Sequence, residues 1–117
     1  MNPASAQRVV RVFYRDYANA VAISSTAPES LLAERLVPLA ERLLVSDDNF
    51  LGVVDRHDTI LQCYVAEPPG TVVLELVIPE RAGCLRLTLP RSEALARLAS
   101  LPERFEADLL PGAAYVE

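Results

Sequence analysis

The sequence predicts an α+β domain spanning 1–117, with a four-stranded, mainly antiparallel β-meander over about 50–89 packed by two N-terminal helices and one C-terminal helix. Two observations lead there. Four short apolar runs, 50–54, 59–66, 71–78 and 84–89, are separated by Arg56-His57-Asp58, Pro68-Pro69-Gly70 and Glu80-Arg81-Ala82-Gly83. Runs rich in β-branched residues and punctuated by Gly, Pro and Asp at this spacing make hairpins. The flanking segments instead repeat apolar residues at steps of three and four, the period of a helix face.

The first element is expected as a helix over 5–22. Val10, Tyr14, Tyr17 and Val21 fall on one helical face, with Arg8, Arg11, Arg15 and Asn19 opposite. A hairpin competes for the same residues, because Val9, Val10, Val12, Phe13 and Tyr14 are good strand formers. Residues 24–28 form a break, and a second helix is expected over 28–45. Thr26 and Glu29 have capping-box spacing, and Pro28 falls where a first turn tolerates a missing N–H. Leu32, Leu36, Leu39 and Leu43 supply its stripe, Ala-Glu-Arg-Leu recurs one heptad apart at 33–36 and 40–43, and Pro38 is expected to kink it.

In the meander each strand alternates an aliphatic with a mixed face. Leu61, Cys63 and Val65 oppose Gln62 and Tyr64; Val72, Leu74, Leu76 and Ile78 oppose Val73, Glu75 and Val77; Leu85, Leu87 and Leu89 oppose Cys84, Arg86 and Thr88. Such a sheet has one side under helices and the other open or partly covered. A third helix follows over 91–101, with Leu95, Leu98 and Leu101 on one stripe and Pro102 as its stop. The segment 103–117 carries Phe105, Leu109, Leu110, Tyr115 and Val116, too apolar for a free tail, and is expected to lie along the surface as an edge strand.

Charge bounds the function. All 11 basic side chains are arginine, as in a GC-rich bacterial coding sequence, and 16 acidic residues leave a net charge of −5. That sign argues against a general nucleic-acid binder and favours a basic partner. No apolar run approaches the roughly 20 residues of a membrane helix. The N-terminal stretch lacks the layout of a signal peptide, so a cytoplasmic protein is expected. Cys63 and Cys84 lie inside apolar strand runs and read as small buried hydrophobes.

No P-loop, dinucleotide fingerprint, nucleophile elbow, zinc-ligand set or catalytic carboxylate pair is legible, so no catalytic residue, metal or cofactor is assigned. His57, flanked by Asp55 and Asp58, has the raw material of hydrolytic acid–base chemistry but falls at a hairpin tip, where Asp serves turns. Asp47, Asp48 and Asn49 do not have the spacing of an EF-hand loop. Gly52-Val53-Val54, Asp58 and Leu61-Gln62-Cys63 are similar in spacing to the first motif of Sm-like RNA-binding barrels. Gln62 stands where that motif has Asn, and the Arg-Gly of the second motif is absent, so nothing is carried over.

The surface the sequence singles out is the mixed sheet face: Gln62, Tyr64, Glu75, Arg86 and Thr88, with Glu75 and Arg86 placed to pair across strands. The expected function is a non-catalytic protein-interaction module of adaptor, escort or immunity type, with homodimerisation through a strand edge or the Leu-rich helix as a further expectation. The alternatives are a small-ligand-binding or regulatory domain using the mixed face and, behind it, a hydrolase using His57.

Overall fold

Val12 and Phe13 decide the first element, and they decide for strand. The computed structural model describes residues 8–46, 48–67 and 69–117; the start of the expected first helix, Asp47 of the acidic cluster and Pro68 of the second turn lie outside them. In chain order the described elements are β1 (Val9–Asp16), β2 (Val21–Ile23), β3 (Glu29–Leu32), a 3-10 turn (Ala33–Arg35), α1 (Leu36–Leu43), β4 (Phe50–Val54), β5 (Ile60–Val65), β6 (Thr71–Val77), β7 (Cys84–Pro90), α2 (Arg91–Ala99), a second 3-10 turn (Ala107–Leu109) and β8 (Ala114–Val116). The four-stranded meander with three helices is therefore corrected to an eight-stranded antiparallel sheet with two short helices.

Both N-terminal helix expectations change for identifiable reasons. A step of four residues is even, so Val10 with Tyr14, and Arg11 with Arg15, share a side in a strand as well as in a helix. Val12 and Phe13 break the tie, since β-branched and aromatic side chains fit a pleated surface. β1 turns at residues 17–20, where Ala20 adopts φ +52°, and returns as β2, pairing Tyr14 with Ile23 and Asp16 with Val21. After a break the chain resumes the same path as β3, pairing Val10 with Leu31 and Val12 with Glu29. In that break Ser24 Oγ accepts the Thr26 N–H at 3.1 Å and lies 2.8 Å from Thr26 Oγ1, so the hydroxyls shape a turn rather than a helix cap. α1 then starts at Leu36. Pro38 falls in its first turn, where no intrahelical bond is lost, and produces no mid-helix kink.

The strand order is β2-β1-β4-β5-β6-β7-β8, with β3 also on β1. Register then sorts every side chain. Val12, Val53, Leu61, Leu76 and Leu85 stand opposite one another in turn, as do Tyr14, Leu51, Cys63, Leu74 and Leu87. These rows form one face, and Leu36, Leu39, Ala40 and Leu43 of α1 join them in the core with Ala94 and Leu98 of α2. Each Leu-sized side chain buried there contributes roughly 1.5–3 kcal/mol. Arg91, at the start of α2, donates to the α1 end through Nη2 to the Glu41 carbonyl at 2.9 Å and Nε to the Leu44 carbonyl at 3.3 Å. Those carbonyls have no partner within their own helix, and the guanidinium fastens the two helices together.

No helix of the described residues lies over the other face. Its middle row runs Phe13, Gly52, Gln62, Glu75, Arg86 and Ala114. Phe13 is only 4% exposed, and its ring lies across Gly52, where a Cβ would sit 2.0 Å from the ring's Cζ. Gly52→Ala is therefore expected to destabilise the fold by about 1–3 kcal/mol through overpacking. The same change in a Phe13→Leu background should cost clearly less. Urea unfolding of the four proteins gives the cycle, and additive losses would show that the ring is not what excludes the methyl group.

Candidate interaction face

The five residues singled out from the sequence do stand together. Gln62 of β5, Glu75 of β6 and Arg86 of β7 are cross-strand neighbours, and Tyr64 and Thr88 flank Val73 in the adjacent row. Glu75 is the centre. Its Oε2 accepts Arg86 Nε at 2.7 Å, and the residue is only 9% exposed. The Cys84 thiol approaches the same oxygen at 3.8 Å. A carboxylate this poorly hydrated needs its counter-charge, and the hydrogen bond to Glu75 holds the Arg86 guanidinium above its ordinary pKa. Around the pair, burial first and the Glu75 hydrogen bond second push the Tyr64 phenol up, while burial first and the Glu75 charge second push up the Cys84 thiol. Gln62 is half-buried and Thr88 exposed; neither makes a side-chain hydrogen bond among the described residues.

β1 adds residues that the helix expectation placed elsewhere. Arg11, Phe13 and Arg15 project from the same face, opposite Val54, Gly52 and Phe50 respectively. Phe13 and Phe50 are in tilted contact with centroids 6.2 Å apart, and Phe50 is 36% exposed. Of the arginine stripe Arg8, Arg11 and Arg15, only the last two belong to this face, because Arg8 precedes the strand. The signal was present in the sequence: Arg11, Phe13 and Arg15 alternate with Val10, Val12 and Tyr14.

At the Asp55–His57–Asp58 tip the buried carboxylate holds backbone. Asp55 is 5% exposed, and its Oδ1 accepts the backbone N–H of His57 at 2.8 Å and of Thr59 at 2.9 Å. Its Oδ2 accepts the Phe105 N–H at 2.7 Å, and its carbonyl accepts Arg11 Nη2. Both carboxylate oxygens are thus occupied by backbone, and the exposed imidazole makes no hydrogen bond among the described residues. Asp58 takes φ +65° and meets Arg11 at 3.3 Å. Among the described residues no group of three or more His, Cys, Asp or Glu is arranged to hold a metal ion. No helix among the described residues is long and apolar enough to cross a membrane. No family model matches the chain, and neither a curated protein nor a solved structure matches it.

Two outcomes are expected. Asp55→Asn keeps the shape but removes the charge that three backbone donors share; with hydrogen bonds to charged groups at about 1.5–3 kcal/mol each, a loss of at least 2 kcal/mol in urea unfolding is expected. Proteolysis near Phe105 should accelerate with it, and an unchanged cleavage rate would refute the tie. The second concerns the thiols. Burial pushes Cys63 up from 9.0 to about 12, so the folded chain holds that proton more tightly than the unfolded chain. The resulting stability is complete below pH 9 and is lost as pH rises from 9 towards 12. At pH 8 a thiol reagent should modify Cys84 slowly and reach Cys63 only on unfolding, whereas equal rates would contradict the burial.

Proposed function

We propose that the chain is a non-catalytic protein-interaction module, of adaptor, escort or immunity type, whose contact surface is the uncovered sheet face. One observation carries the reading. Both helices and the main core lie on one side of the sheet, while on the other side Phe50, Tyr64, Gln62, Arg86 and Thr88 are at least partly exposed, with no helix of the described residues over them. An open face of this kind, mixing partly exposed aromatic and hydrogen-bonding side chains, has the composition of a protein contact. It favours a macromolecule over a small ligand, because α1 and α2 sit on the opposite side and leave this face open to a broad contact. The net charge of −5 points to a basic partner for the chain as a whole. On this face, however, Arg11 and Arg86 are paired with Asp58 and Glu75 while Arg15 has no carboxylate partner among the described residues, so the sign of the contact is set locally. Homodimerisation through the outer edges of β8 or β2–β3 is a variant of the same reading, and light scattering on purified protein tests it.

The main test is capture by tagged protein from lysate. A protein retained in stoichiometric amount by the wild type should be lost by Thr88→Arg and by Phe50→Ser, both of which should keep the native circular dichroism spectrum. His57→Ala should retain it. Equal capture by the two face variants would move the contact surface elsewhere.

A further inference from the structure

We infer that the β1 end of the uncovered face is a groove for an acidic segment of a partner protein, one that brings a carboxylate to Arg15 and an apolar side chain to the exposed part of Phe50, which is backed by Phe13. The inference rests on the interaction reading above and adds the chemistry of the partner.

The groove has a volume of about 470 Å³ and is lined by Phe13, Arg15, Ser24, Ser25, Phe50 and Gln62 among others. That volume lies within the roughly 300–1,000 Å³ of ordinary ligand clefts and admits two or three side chains. Arg15 is its distinctive member. The guanidinium donates through Nη1 to Tyr17 Oη at 2.8 Å and stands 4.9 Å from the Tyr17 ring centroid, so it is held in place without being neutralised. Among the described residues no carboxylate pairs with it, whereas Arg11 has Asp58 and Arg86 has Glu75. A guanidinium has five N–H donors, and only one is used here, which leaves a fork free for a carboxylate. Beside this cation lies the partly exposed ring of Phe50 over Phe13.

A cation next to an aromatic floor selects a ligand that is both anionic and apolar. A single-stranded nucleic acid satisfies the charge, but its row of phosphates would also face the acidic remainder of a chain at −5, and its affinity depends on neutralising many phosphates at once. One free guanidinium with an apolar floor fits a peptide carrying isolated carboxylates between Leu or Phe side chains.

Fluorescence anisotropy with the whole chain tests this. The probes are a labelled pool of nine-residue peptides alternating Asp or Glu with Leu or Phe, a twin pool with Lys replacing the acids, and a labelled oligothymidylate. The acidic pool should bind, more weakly as salt rises, and Arg15→Glu should weaken it about tenfold or more. Arg81→Glu, an equal charge change on an exposed loop away from the face, should not. Thermal melts of both variants at the wild-type temperature establish that the fold is intact, as expected for exposed positions. Binding of the basic pool or of oligothymidylate in preference overturns the acidic assignment while leaving the face as an interaction surface. No probe bound, with capture through Phe50 and Thr88 intact, overturns this inference alone; loss of both overturns the interaction reading as well.

Discussion

A wide sheet has two faces, and two short helices can cover only one of them. Most of the structure follows from that shortage. The helices go to the face where Val12, Leu51, Val53, Leu61, Cys63, Leu74 and Leu76 are almost wholly inaccessible, because that is where apolar area removed from water is greatest. Arg91 then joins the helix ends, since an unfastened pair would leave the Leu44 and Glu41 carbonyls short of donors. On the opposite side the chain has to limit exposure with its own strand residues. Laying Phe13 across Gly52 does so at one end, where a ring takes the place of a missing side chain and shields the backbone beneath it. The Glu75–Arg86 pair does so at the other, satisfying a carboxylate that neighbouring side chains have largely dehydrated. An ion pair of this sort gives less net stability than well-packed apolar groups, but losing one partner would strand the other.

The same economy of cover explains Asp55. The segment after α2 carries Phe105 and Leu110 into the core without belonging to a helix, so its backbone needs an acceptor from another part of the chain. Asp55 supplies it from the β4–β5 hairpin, while also closing that hairpin on His57 and Thr59. One carboxylate thereby holds a local turn and a contact 50 residues away.

Legibility in the sequence tracks how far apart the deciding residues lie. The strands after residue 49 and the face of Gln62, Tyr64, Glu75, Arg86 and Thr88 were readable because alternation over six or seven residues admits few other structures. The edge strand at Ala114–Val116 was anticipated from apolar content alone. The first 32 residues were not readable in the same way. Steps of four satisfy both periods, and a Thr-x-x-Glu spacing is compatible with a hydroxyl turn as well as a capping box. Only the pairing of β1 with β4, some 40 residues on, resolves it, and Gly52 is the partner that makes Phe13 a strand residue. The role of Asp55 was hidden for the same reason: its second oxygen answers to Phe105, far along the chain.

Correcting β1 from helix to strand also changes what its charges can do. On a helix Arg15 would share a surface with its neighbours at three and four residues' distance. In a strand, adjacent residues project to opposite faces, so Asp16, next to Arg15 in the chain, is carried to the helix-covered side. There it is 2% exposed and meets Asn19 Nδ2 at 2.7 Å and Arg42 Nε at 3.4 Å; the Asn19 hydrogen bond, ahead of the others, holds its carboxyl below the usual range. The nearest carboxylate in sequence is thus partnered on the far side of the sheet, and Arg15 keeps its charge facing outward beside Phe50. An acidic chain can in this way present an unpaired cation, because strand alternation separates charges that composition can only sum.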